Sequence, residues 1–343
     1  MRRILIYVSL FCALFILSDR AVSLHGEEKS LKSRGTIYIT GDKDFTKPGS
    51  GGGCECVTEG SGSVDSPYII EGWDIEVPNA YGIYIENTTA PFVIRDVKVH
   101  DVKRGTVSGI FVYKSKNGVI SNSAVANNKG SGIVLSDSEN FKLLNNTVEN
   151  NGNLGIVLMH GSNNNTVEGN AVTKNHWGIR LEVSNDNRLM GNKVGGNGLG
   201  MFLRGSNNQF QDNAVEGNSD GGINFDTSKK SVFNKNKVCD NKKIGIALYS
   251  SEEIELKNNV VCNNEMGIYL EQSSNNLLEG NKIAGNTKEN SIVMGGGSQK
   301  NNRLVDNTIE PAVKDRKDKK ANTGASGETK TEVGKESPKD VKN

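Results

Sequence analysis

Between Tyr81 and Glu310 the apolar residues fall at a fixed beat. A Gly followed by an apolar residue recurs at Gly82, Gly109, Gly132, Gly155, Gly178, Gly200, Gly222, Gly245 and Gly267. After an opening step of 27 the spacings are 23, 23, 23, 22, 22, 23 and 22, and Ser291-Ile292 takes the place in a tenth copy. Each copy also keeps its internal register. Leu143, Val167, Leu189, Phe210, Phe233, Leu256, Leu278 and Leu304 are each followed three places on by Asn and two further by Val or Ile. The alternation in Gly178-Ile179-Arg180-Leu181 has period two and predicts a short strand with one face inward.

The asparagines decide how the copies are arranged. One set comprises Asn146, Asn170, Asn192, Asn213, Asn236, Asn259, Asn281 and Asn307. A second falls at Asn128, Asn151, Asn175, Asn197, Asn218, Asn241, Asn264 and Asn286. Identical polar residues at one phase mean that the copies stack in register. An Asn at a turn tolerates left-handed backbone, and stacking lets its amide bond the neighbours above and below. Helical repeats of about 33 to 47 residues are too long for this period. No Pro occurs from Phe92 to Glu310, as expected where every backbone N–H pairs with a neighbouring coil. The pattern predicts an all-β chain: a right-handed, single-stranded parallel β-helix of about ten coils, rising about 4.8 Å each to a rod of roughly 48 Å.

Outside the repeats the composition changes. Arg2, Arg3 and the apolar run from Ile4 to Leu17, followed by Ala21-Val22-Ser23, predict a cleaved signal peptide over residues 1–23. That run is short for a stable membrane span, which takes about 20 residues. Export to the periplasm or the exterior follows, an oxidising address. Residues 24–80 are expected to supply first strands and a cap, and residues 81–310 the repeats. Residues 311–343, with nine Lys/Arg, six Asp/Glu and almost no large apolar side chain, predict a disordered charged tail. Overall 41 basic residues face 40 acidic ones, and the body between leader and tail is mildly acidic, which argues against nucleic acid as a partner.

The stretch Gly60-Ser61-Gly62-Ser63-Val64-Asp65-Ser66-Pro67-Tyr68-Ile69-Ile70-Glu71-Gly72-Trp73-Asp74-Ile75 resembles the entry motif of NosD-like β-helix proteins. These sit within a wider group of carbohydrate-binding proteins and sugar hydrolases built on parallel β-helix repeats. The resemblance covers about residues 36 to 310 and implies the fold. It implies a role in periplasmic maturation of a copper enzyme only if the chain carries metal chemistry of its own, because the scaffold hosts many functions.

Candidate chemistry lies on the strands that follow each Gly. Two places after Gly the outward column reads Tyr84, Phe111, Val134, Val157, Arg180, Phe202, Asn224, Ala247, Tyr269. Four places after, it reads Glu86, Tyr113, Ser136, Met159, Glu182, Arg204, Asp226, Tyr249, Glu271. Aromatic faces stack on sugar rings, and Arg or Asn side chains bond hydroxyls and acidic groups. Arg180, Phe202, Arg204 and Asn224 are therefore candidate ligands for a polysaccharide or cell-envelope glycan. The plainer alternative is a solvated face with a salt-bridge ladder Glu182–Arg204–Asp226. Glu182 and Asp226 are also the candidate catalytic carboxylates of a polysaccharide hydrolase or lyase. Two coils separate them by roughly 9.6 Å, a spacing that permits the geometry of an inverting glycosidase. Arg204 between them suits an acid catalyst badly.

Four of the five cysteines fall into two pairs, and the fifth, Cys12, lies in the apolar run of the leader. Cys239 and Cys262 are 23 residues apart and each follows the inward Val of its copy, which predicts a rung-to-rung disulfide. Cys54-Glu55-Cys56 predicts either a disulfide or two free thiols in a Gly-rich cap loop. Two thiols without a nearby His are not a metal site, and His25, His100, His160 and His176 fall at unrelated phases, so no metal centre is expected. Nothing in the chain names a cofactor.

Overall fold

A computed structural model describes residues 30–46, 54–298 and 300–310. The leader and the charged tail expected at the two ends lie outside the described residues. Each coil contributes one strand to each of three sheets. Sheet I holds 11 strands and is built from the Gly-led segments such as Trp177–Glu182. Sheets II and III hold 12 strands each, represented in that coil by Arg188–Met190 and Lys193–Gly195. All pairing between coils is parallel; Val57–Glu59 alone among the described strands runs antiparallel, against Tyr68–Glu71. This is a parallel β-helix.

The repeat turns into packing through register. Ile133, Ile156, Ile179, Met201, Ile223, Ile246 and Ile268 pair in sequence across sheet I, all fully buried. Val148, Val172, Val194, Val215, Val238 and Val261 do the same in sheet III. Such aligned columns fill a narrow interior with apolar side chains stacked coil on coil. The repeated Gly answers to space rather than to backbone dihedrals. A Cβ on Gly178 would collide with Val194 Cγ1, the Gly200 carbonyl and the Asn197 amide.

The two asparagine sets form buried ladders at two of the three corners. Asn192 donates through Nδ2 to the Val167 carbonyl (2.8 Å) and to Asn213 Oδ1 (2.9 Å), and its own Oδ1 accepts from the Asn170 backbone N–H (3.0 Å). The left-handed position is not the ladder Asn itself. It is the residue before, Asn145 (φ 53°), Gly191 (φ 60°) or Lys235 (φ 56°), so that the Asn behind it turns inward. The third corner carries a ladder that mixes residue types. Asn165, Asn187 and Asn208 hand a backbone N–H bond from coil to coil and end on Ser231, beside a serine run from Ser228 through Ser251 and Ser273 to Ser298.

The N-terminal end is covered from within residues 30–80. Lys32–Arg34 pairs with Trp73–Glu76, and Ile37–Ile39 with Ile83–Glu86, so both join the sheets as first strands. Phe45, fully buried in the short turn Asp42–Phe45, stacks on Tyr68 at 4.8 Å and closes the apolar interior. Asp42 accepts hydrogen bonds from the backbone N–H groups of Thr89 (2.8 Å) and Ala90 (3.0 Å) and holds that turn down. A disulfide joins Cys239 to Cys262 on paired strands of sheet III, and another joins Cys54 to Cys56 in the cap.

Candidate functional site

Three adjacent strands of sheet I, Trp177–Glu182, Leu199–Arg204 and Gly221–Asp226, bring the predicted residues together. Their inward residues Ile179, Leu181, Met201, Leu203, Ile223 and Phe225 are buried in the core, which fixes the alternate side chains outward. Arg180 pairs with Phe202 and Phe202 with Asn224; Glu182 pairs with Arg204. Arg180 forms an ion pair with Glu182 Oε2, Arg204 reaches Glu182 Oε1 at 3.3 Å, and Arg204 also pairs with Asp226 Oδ2. The Asp226 hydrogen bond, against a smaller opposing effect of burial, holds the Arg204 guanidinium above its usual pKa.

Both carboxylates are fully engaged. Each Glu182 oxygen meets a guanidinium, while Asp226 gives Oδ2 to Arg204 and accepts from the Thr227 hydroxyl at Oδ1 (3.1 Å). No carboxyl oxygen of the pair is left facing solvent without a partner, so the arrangement presents cations and a ring rather than a poised acid and base.

Trp177 belongs to this patch and is not among the residues that the alternation singles out. Its indole stacks on Phe202 (centroids 5.4 Å, 23° between planes), and His176 stacks behind it at 5.9 Å. Arg180 lies over both rings, 5.3 Å from Trp177 and 5.5 Å from Phe202, and Arg204 lies 5.7 Å from Phe202. Strand pairing skips the Gly, passing from Trp177↔Leu199 directly to Ile179↔Met201, so the period-two phase breaks there. The residue before each Gly forms a third column, Tyr81, Ser108, Ser131, Leu154, Trp177, Leu199, Gly221, Ile244 and Met266, which is apolar from Leu154 onward except at Gly221. That apolar column is the signal by which the sequence could have disclosed Trp177.

Beside the patch runs a shallow groove of about 270 Å³ lined by Trp177, Leu199, Asp220, Asn224, Lys243 and Tyr249. Lys243 donates to Asp220 at 2.8 Å, and this bond holds the Asp220 carboxyl below its usual range and the Lys243 ammonium above its own. Towards the N-terminal end the outward column stays apolar. Val157 and Val134 are buried with Leu154 under Phe111, Met159 and Trp177. Tyr84 then stacks on Phe111 at 5.7 Å and Tyr38 on Tyr84 at 4.7 Å. From Tyr38 to Phe202 the stripe crosses seven adjacent strands, about 29 Å.

Comparison with known proteins places this architecture. Residues 57–199 and 182–326 match the sequence profile of a family described as "Periplasmic copper-binding protein (NosD)". No curated protein sequence matches the chain. Among solved structures it is similar to the mannuronan C-5 epimerase AlgE4 A-module of Azotobacter vinelandii (16% identity, TM-score 0.59), covering 82% of this chain and 86% of that one. It is also similar to a mutant of the periplasmic alginate epimerase AlgG (16%, 0.52; 80% and 67%) and to the Dettilon tailspike protein (14%, 0.52; 80% and 61%). At these identities the likeness is one of fold.

The family description names copper, and the donors present do not fit it. All four cysteines among the described residues are paired in disulfides. His100 has both ring nitrogens engaged, by Asp74 at 2.8 Å and Asp101 at 2.6 Å, and His160 Nδ1 meets the Ser136 hydroxyl at 3.1 Å. Among the described residues no three His, Cys, Asp or Glu side chains converge as a metal site would require.

Proposed function

We propose that this chain, which belongs to the NosD family, is an exported carbohydrate-binding or cell-envelope protein that holds a glycan along the outward face of sheet I without strong catalysis. The observation that carries this reading is the Trp177–Phe202 stack framed by Arg180 and Arg204 beside a polar groove. Indole and phenyl faces give sugar rings a flat apolar platform. The two guanidiniums and Asn224 supply donors for hydroxyls or for a uronic carboxylate. Glu182 and Asp226 act in this reading as positioning residues that hold the arginines. The periplasmic description of the family and the two disulfides support an address outside the cytoplasm.

The enzymatic alternative makes Glu182 and Asp226 a catalytic pair of a polysaccharide hydrolase or lyase. Full engagement of both carboxylates favours binding over turnover. A glycan array separates the outcomes. Wild type is expected to retain a subset of polysaccharides that the Phe202→Ala, Arg204→Ala double variant loses. Identical arrays would reduce the patch to scaffold. Reducing-end release by wild type that vanishes in Glu182→Gln or Asp226→Asn would instead establish catalysis.

A further inference from the structure

The two disulfides sit in unlike surroundings. Cys239–Cys262 links paired strands of sheet III, with Cys239 fully buried and Cys262 partly exposed. Cys54–Cys56 spans one residue in the cap, with Cys56 fully buried and Cys54 partly exposed. The Cys54 sulfur lies in a cradle of donors. The Cys56 backbone N–H points at it from 3.1 Å and Arg34 Nη2 from 3.5 Å. Arg34 is held against the Trp73 ring at 5.0 Å, and Trp73 in turn donates through Nε1 to the Cys56 carbonyl at 3.0 Å. Arg34 Nε is buried with no hydrogen-bond partner.

A disulfide sulfur is a weak acceptor, so a guanidinium with an idle N–H beside it is poorly matched to the oxidised state. A thiolate at Cys54 would use both donors, as charge-assisted bonds. We propose that Cys54–Cys56 is a thiol–disulfide exchange site for a protein dithiol, with Cys54 as the exchanging cysteine and Cys56 as the resolving one. A thiolate of the dithiol attacks the accessible Cys54 sulfur. The Sγ–Sγ bond breaks, and Cys56 leaves with the electron pair and takes a proton. The second thiolate of the dithiol then attacks its own sulfur in the mixed disulfide, and Cys54 departs as a thiolate against Arg34. The dithiol is oxidised by two electrons and the Cys54–Cys56 pair is reduced; the reverse sequence reoxidises it.

The full chain, oxidised, is titrated with dithiothreitol under native conditions, trapped with iodoacetamide and mapped by peptide. Cys54 and Cys56 are expected to become alkylated at dithiothreitol concentrations at least tenfold below those that open Cys239–Cys262. Equal thresholds would overturn the proposal. In Cys56→Ser, Cys54 is expected to react with iodoacetamide at pH 7 at least fivefold faster than Cys56 does in Cys54→Ser. Arg34→Ala should remove that advantage and Arg34→Lys keep part of it. If Arg34→Ala does not fold, the two single-cysteine variants still decide, and equal rates in them count against the assignment.

Discussion

The corners of the coil and the outward face of sheet I obey opposite rules. At the corner between sheets II and III, Asn146, Asn170, Asn192 and Asn213 are the same residue with the same bonds, all buried. On the face, Val157, Arg180, Phe202, Asn224 and Ala247 occupy one column and change chemistry at every strand. At this corner a rung meets copies of itself, so one residue that satisfies its neighbours satisfies them on coil after coil. A face residue is held by the same backbone but is free to differ, and the difference is what a ligand can read. Repetition marks the scaffold here, and the loss of repetition marks the candidate site.

The largest test of that contrast is a deletion. Removing residues 178–199, one whole coil, is expected to leave a folded, shorter rod by circular dichroism and gel filtration, because ladders and sheets rejoin in phase. Removing residues 189–191 should misphase both ladders and give aggregate. Like behaviour of the two proteins would break the account of stacking. Next in size is Asn192→Leu, which takes the acceptor from the Asn170 backbone N–H and the side-chain donor from the Val167 carbonyl in the interior, while Asn213 Oδ1 keeps the residue-192 backbone N–H and Asn170 Nδ2 keeps the Leu143 and Glu168 carbonyls. At about 1–3 kcal/mol for each unsatisfied group, partly relieved by relaxation, the loss should reach about 3 kcal/mol in urea unfolding. A loss below about 1 kcal/mol would show that the ladder is ornamental.

On the face the sign of the comparison reverses. Phe202→Ala should weaken glycan binding by about 1–2 kcal/mol by calorimetry, through lost stacking and area, and leave the urea midpoint nearly unchanged. A large fall in stability with unchanged affinity would move Phe202 from the site to the scaffold. The smallest effect concerns Val183, an exposed β-branched residue at φ 49° beside Glu182. Left-handed backbone is costly for Val and tolerated by Asn, so Val183→Asn should raise stability by roughly 0.5–1 kcal/mol. A neutral or destabilising result would mean that the Val183 side chain makes a contact worth more than the strain.

Much of this is legible in the sequence because a stacked coil has few solutions. The Gly-led period and the two asparagine sets specify sheet I and two corners, since each must repeat for its bonds to close. The third corner is hidden because the residue type changes there, from Asn208 to Ser231 for example, and either of these offers an acceptor to the N–H of the coil before. Trp177 is hidden because alternation fails where strand pairing skips the Gly.

The chain's own order of residues therefore determined the fold, the inward columns, the pairing of Cys239 with Cys262, and which residues could meet on the outward face. These follow from periodicity, since residues at one phase are neighbours whatever lies between. Only the tertiary structure decided the rest. It tied both oxygens of Glu182 and of Asp226 to partners, set Trp177 against Phe202, and laid Arg34 beside Cys54 across the Trp73 strand. Those contacts depend on rotamers and on strands that break the repeat, and a period carries no information about either.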